Sequence, residues 1–214
     1  MAFEVKVTIF VVAAILVGVA LLFWFFYKPI KRFVFRNSPN EGFYQKIIKI
    51  VRNGDYYLIN NFEVEIEKGK IMKIDHIIGG NKYIYIITDR YFDGTIVGEA
   101  VDDWWLYFTK GRKDAVVKTE IVNPLMETKN MIVRLGIQRS LPMEYVVGIV
   151  LINDDCFVTG FKNVPGTVQL TTYSQLEKVI NKYESEDIGD INSKDLHKAI
   201  HDLYEISEET KNAK

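Results

Sequence analysis

Residues 73–90 read KIDHIIGGNKYIYIITDR, and the fold turns on them. Ile74, Asp75, His76, Ile77 and Ile78 form a short apolar run interrupted by a carboxylate. Gly79-Gly80-Asn81 supplies a turn, because glycine accepts φ > 0 without a Cβ clash. Tyr83 to Ile87 is aromatic and β-branched throughout, which predicts a strand buried on both faces. A carboxylate inside such a run is costly to desolvate unless it is paired or binds something, so Asp75 is the first residue to explain.

The chain then reads outward from this pair of strands. Upstream, Tyr57 to Glu67 alternates Phe62, Val64 and Ile66 with Glu63, Glu65 and Glu67, which predicts a strand with one buried and one wet face. Lys68-Gly69-Lys70 turns it into the Asp75 strand. Ser38-Pro39-Asn40-Glu41 has the chemistry of a helix start: a capping hydroxyl, proline at the first helical position and an acid to complete a capping box. Phe43, Tyr44, Ile47, Ile48 and Val51 then repeat at three and four until Asn53-Gly54. Downstream, Thr95 to Val97 and Asp102 to Phe108 read as strands, the second closed by Gly111. Asn123-Pro124 opens a helix with Leu125, Ile132 and Leu135 inward and Lys129 and Arg134 outward. Tyr145 to Ile152 reads as a central strand that Phe157 and Val158 extend, and Val168 to Leu170 as a short one. Helices are expected over Tyr173–Tyr183, and from Ser193 with Leu196, Ile200, Leu203 and Tyr204 on one face. Beyond Ile206 the chain is charged and expected to fray. The order predicts an α/β fold with a mixed central sheet flanked by helices.

The amino-terminal region has a different character. Val7 to Tyr27 holds no charged residue and is long enough to cross a hydrocarbon core of roughly 30 Å. Trp24 and Tyr27 near its end suit the headgroup layer. A cleaved signal peptide fits poorly, since Phe23-Trp24-Phe25-Phe26-Tyr27 stands where small residues are needed. Lys28, Lys31, Arg32 and Arg36 follow the run, so the amino terminus is expected outside and the domain in the cytoplasm. The reading gives residues 1–6 outside, 7–27 as the membrane span, 28–37 as a basic linker, 38–206 as the globular domain and 207–214 as a tail. The 214 residues carry a formal net charge of −1, so any nucleic-acid site must be a local patch. The single cysteine, Cys156, excludes a disulfide framework and a cysteine-built zinc cluster.

The central stretch resembles the nuclease-related domain (NERD) family of the PD-(D/E)XK nuclease-like superfamily. The residues that carry the resemblance are Ile74-Asp75-His76-Ile77-Ile78, the Gly79-Gly80 turn, the strand Tyr83 to Ile87, then Thr88-Asp89-Arg90 and Gly94. It extends more weakly from about Gly42 to Ile152, taking in Trp104 or Trp105, Asn123-Pro124 and Glu127, which stands where the family usually has a glutamine. The resemblance implies a restriction-endonuclease-like fold and a divalent metal, usually Mg²⁺, held by two carboxylates with a lysine nearby.

Residue by residue, the implied site departs from that pattern. Asp75 is kept and would be the metal ligand of an active enzyme. Thr88 stands at the glutamate position and Arg90 at the lysine position, and Phe43 follows Gly42 where the family has glutamate. A neutral hydroxyl is a poor Mg²⁺ ligand and a guanidinium cannot serve as a base. Asp89 sits between Thr88 and Arg90 and is expected on the opposite face, as is His76. The expectation is a degenerate site in which Arg90 pairs with Asp75 and Thr88 hydrogen-bonds nearby, with no cofactor. The protein would then act by binding nucleic acid or a protein partner at the membrane. Two alternatives stay open: an active Mg²⁺-dependent nuclease with a carboxylate relocated from Glu41, Glu99, Asp102 or Asp103, and a purely structural interaction module. The pair His197 and His201 lacks a base and a third ligand in sequence, and reads as a solvated helix face. Oligomeric state is not encoded in any of these features.

Overall fold

The computed structural model describes the backbone of residues 2–111, 115–139, 141, 143–163, 168–187 and 193–213. The side chains of residues 2–11, 13, 14, 28, 31, 32, 34, 138, 139 and 193 lie outside that description. Contacts divide the chain into two units, Met1–Gly42 and Phe43–Lys214.

The first unit is built on α1, a continuous helix Ala2–Asn37 that includes Pro29. The expected linker over 28–37 is therefore helical. Leu21, Leu22, Phe23, Trp24 and Phe25 are exposed along it. Among the described residues no helix is long and apolar enough to cross a membrane. The first part of the expected span, with its side chains at 7–11, 13 and 14, lies outside them. A second helix, α2 (Pro39–Gly54), starts where the Ser38-Pro39 signal places it, and buries Phe43, Ile47 and Ile50.

The second unit is a mixed α/β fold with two sheets where one was expected. The strands are β1 (Tyr57–Glu67), β2 (Lys70–Gly79), β3 (Ile84–Arg90), β4 (Thr95–Val97), β5 (Trp104–Lys110), β6 (Val116–Val122), β7 (Val146–Ile152), β8 (Phe157–Thr159) and β9 (Gln169–Thr172). The helices are α3 (Pro124–Arg139), α4 (Leu176–Ser185) and α5 (Ser193–Asn212). The larger sheet has the order β1-β2-β3-β7-β9, with β1 and β2 antiparallel and β3, β7 and β9 parallel. The smaller has the order β6-β5-β4-β8. Phe157 and Val158 thus leave the β7 strand and pair with β4, because the Asp154-Asp155 turn redirects the chain.

β3 is buried from Ile84 to Thr88, as its uniform apolar run requires. Ile84 and Ile86 share one core with Val150, Ile152, Ile132 and Leu203. α3 packs on this side through Leu125, Ile132 and Leu135, and α5 through Leu196, Ile200 and Leu203. Tyr204 is exposed, outside the expected apolar stripe. α5 also runs past the expected end at Ile206: Ser207 is fully buried, and its Oγ accepts a bond from the Glu63 N–H at 3.3 Å.

One irregularity positions the site. Asn60 pairs with His76 and Phe62 with Ile74, and between them Asn61 takes a φ of 50° opposite Asp75. Asparagine tolerates this left-handed backbone better than most residues. Core-facing positions change parity across the step, from Phe62 and Val64 to Ile59 on β1, and from Met72 and Ile74 to Ile77 on β2. Asp75 stands at the step and is swung toward solvent, its side chain 44% exposed.

Candidate functional site

The site forms at the end of β3, where β2, β3 and α3 meet. Thr88 and Arg90 are two residues apart on a strand and point to one side. There Thr88 Oγ1 meets Thr128 Oγ1 at 2.6 Å, and the Thr128 hydroxyl is also 2.8 Å from the Pro124 carbonyl oxygen, to which it can donate. Both threonines are buried. The hydroxyl at position 88 is thus tied to the first turn of α3.

Arg90 gathers the charges. Its Nη2 donates to Glu127 Oε2 at 2.7 Å, and its Nη1 lies 3.8 Å from Asp75 Oδ2. Nη1 also donates to the Asp89 carbonyl at 2.9 Å. The expected Arg90–Asp75 contact is present but is the longer of two, and the close, charge-assisted partner is Glu127. Asp75 Oδ2 accepts its own short bond from the Asp89 N–H, at 2.8 Å. One guanidinium is therefore shared between carboxylates from β2 and α3.

The buried acid is Asp89, not Asp75. Asp89 faces the opposite side of the sheet, where its Oδ2 lies 2.8 Å from His76 Nε2. The two side chains are 6% and 5% exposed, and the Tyr44 ring stacks on the imidazole at 6.3 Å. Burial pushes the Asp89 carboxyl above its ordinary range, against the hydrogen bond and charge of His76, which pull it down. Among the described residues Asp89 Oδ1 and His76 Nδ1 have no hydrogen-bond partner.

Of the carboxylates considered from sequence for relocation, Asp102 and Asp103 have these surroundings. Asp102 accepts from the Glu99 N–H at 2.8 Å within its own turn. Asp103 lies on an open groove of about 680 Å³ with Lys70, Lys73, Trp104, Glu127 and Arg134. Among the described residues the one group of three His, Cys, Asp or Glu side chains close enough to share an ion is His201, Asp202 and Glu205, all exposed on α5. His197 turns instead toward Tyr57, with ring centres 5.8 Å apart. Burial raises the Cys156 thiol to about 11, which removes it as a nucleophile at neutral pH.

Of the paired indoles, Trp105 is the core residue, 1% exposed with its Nε1 donating to Glu99 O at 2.8 Å, while Trp104 is 59% exposed. Reading the sequence missed the role of Glu127 as the Arg90 partner and the placement of Thr128. The signal available was the helix start at Pro124, which sets Glu127 and Thr128 in its first turn or so. Which strand residue they would meet depends on how α3 packs.

The nuclease-related domain profile matches residues 38–153. A search of curated proteins finds no match. Among solved structures, one described as the crystal structure of protein of unknown function AF1548 aligns at 12% identity and a TM-score of 0.37, covering 76% of this chain and 78% of that one. With the profile spanning more than half of its length, the chain belongs to the nuclease-related domain family.

Proposed function

We propose that this is a membrane-tethered nuclease-related domain that binds nucleic acid without cutting it. The observation that carries the reading is the shared guanidinium: Arg90 stands between Glu127 and Asp75, where a hydrolase would need a divalent ion between carboxylates. The residues present do not fit Mg²⁺. Thr88 offers a neutral hydroxyl committed to Thr128, and Arg90 brings a permanent positive charge that repels a cation. The restriction-endonuclease-like topology is part of the same proposal.

Nucleic acid is the favoured ligand because of the groove beside Glu127. It combines an exposed indole, Trp104, with Arg134, Lys70 and Lys73. An aromatic face with nearby cations is the recognition chemistry of single strands. Lys73 and Lys70 are partnered by Glu63 and Glu67, at 2.8 and 3.9 Å, so Arg134 and Trp104 are the leading contacts. Tethering is supported by the uncharged run Val7–Tyr27, and a cytoplasmic side for the domain by the cations after it.

The full chain is to be incubated with single- and double-stranded DNA and RNA in Mg²⁺ or Mn²⁺. No cleavage is expected, while single strands shift in a mobility assay with a steep salt dependence. Trp104→Ala should weaken binding by about 5- to 150-fold, the range set by roughly 1–3 kcal/mol per stacked base. Arg134→Ala should lower the salt slope by about one. Cleavage that disappears in Asp75→Asn would refute the reading, and the absence of any shift would redirect it to a protein partner. Removing the guanidinium tests the centre itself. Arg90→Ala should destabilise the fold by about 1–3 kcal/mol in denaturant titration, as expected for a lost hydrogen bond to a charged group. Because Asp75 and Glu127 then lose their shared cation, Mg²⁺ or Mn²⁺ should raise the variant's melting temperature more than that of the native chain.

A further inference from the structure

We infer that two copies of this chain associate by antiparallel pairing of β6 with itself about Thr119. Val122 of β6 also lines the groove beside Trp104, but the pairing does not depend on nucleic-acid binding. Among the described residues β6 is the edge of the smaller sheet, hydrogen-bonded on one side to β5. Its seven residues, VVKTEIV, are exposed except for the half-buried Ile121, with Val116 73%, Val117 44% and Val122 51% exposed. A β-branched edge strand with no proline is a template for another strand.

The hydrogen-bond phase of β6 is fixed at both ends. The Asn123 N–H donates to the Asp103 carbonyl at 3.0 Å, and the Gly111 N–H to the Ala115 carbonyl at 2.7 Å, both in the register that pairs Trp104 with Val122. Residues of an antiparallel strand alternate between bonding one neighbour and the other. Odd-numbered residues of β6 therefore bond β5, and Val116, Lys118, Glu120 and Val122 point their N–H and C=O groups outward.

Charge then selects one register. A two-fold axis at Thr119 sets Lys118 opposite Glu120 of the second copy, twice. It also sets Val116 opposite Val122, Val117 opposite Ile121, and Thr119 opposite itself. All the outward backbone groups meet outward groups. Moving the axis by one residue to Lys118 or to Glu120 puts like charges face to face, which is destabilising. The sequence is thus self-complementary about its centre, as an isologous interface requires.

The test uses the full chain in detergent micelles, with mass followed by sedimentation. A dimer is expected. Lys118→Glu should weaken it about tenfold, because two opposite-charge pairs become like-charge pairs. Glu120→Lys should do the same, and the double variant Lys118→Glu/Glu120→Lys should recover the native affinity. Thr119→Cys should form an interchain disulfide under mild oxidation, since its two copies face each other at a spacing a disulfide spans. Val117→Cys should not, and the native Cys156 is buried and serves as the background control. Circular dichroism confirms that each variant is folded. A monomer, or a dimer insensitive to Lys118→Glu and without the Thr119→Cys crosslink, overturns the inference.

Discussion

His76→Leu is expected to destabilise the Phe43–Lys214 unit by about 1–3 kcal/mol at neutral pH, the usual cost of leaving a buried polar group without its hydrogen-bond partner. The imidazole is the hydrogen-bond partner of Asp89 Oδ2, and Asp89 Oδ1 already has none. Leucine fills comparable space under the Tyr44 ring but leaves a carboxylate with a single unsupported charge. The loss should shrink as pH falls, because Asp89 then takes up a proton and no longer carries a buried charge. The sign follows from the raised Asp89 pKa. A carboxyl that binds its proton more tightly folded than unfolded adds stability that is full below the unfolded value and is lost as pH rises through the folded one. In the native chain this contribution declines from the ordinary carboxylate range upward. In His76→Leu the decline should extend to higher pH, since the histidine no longer draws the value down. Asp89→Asn should flatten it. Urea titrations followed by circular dichroism across pH 4–8 measure all three, and a pH-independent loss in His76→Leu would show that packing and not charge accounts for it.

Trp105→Ala is expected to cost about 3–5 kcal/mol, the range for truncating a large buried aromatic. The indole is 1% exposed, its centroid lies 5.7 Å from that of Phe161, and its N–H is satisfied by Glu99 O. It fastens the turn before β5 to the core. Asn123 clamps the same turn, donating to Asp102 O at 2.6 Å while its Oδ1 accepts from the Leu125 N–H at 2.9 Å at the start of α3. Loss of the ring should therefore loosen α3 and, through it, the Glu127–Arg90 contact. Trp104→Ala, one residue away and exposed, should stay within about 0.5 kcal/mol of the native chain, as surface substitutions do. The contrast separates the packing role of one indole from the ligand role of its neighbour. Comparable losses in both variants would contradict the burial that distinguishes them.

Much of the chain's local structure is legible from residue order. Ser38-Pro39 and Asn123-Pro124 start α2 and α3, and Gly69, with φ 79°, turns β1 into β2. Alternation over Phe62 to Glu67 and the apolar runs of β3 and β7 mark the strands of the main sheet. β6 escapes this reading. It lies with one hydrogen-bonding edge and nearly all its side chains in solvent, so Val116 to Val122 shows no burial period to detect. The split into two sheets escapes it for a related reason. Phe157 and Val158 carry the same β preference in either sheet, and their pairing with β4 is decided by where the Asp154-Asp155 turn sends the chain.

At the site the division is sharper. The parity of a strand alone puts Asp89 and His76 on one face and Thr88 and Arg90 on the other, and the identities at 88 and 90 are what the proposal of a non-cutting site starts from. Tertiary structure decided the partners. Glu127 reaches Arg90 across 37 positions because α3 packs beside β3, and the Asn61 step turns Asp75 outward and leaves Asp89 as the buried acid. Capping, turn chemistry and alternation act over a few residues and are written in the order of the chain. Which charge meets which depends on sheet register and helix packing, distances that exist only once the chain has closed on itself.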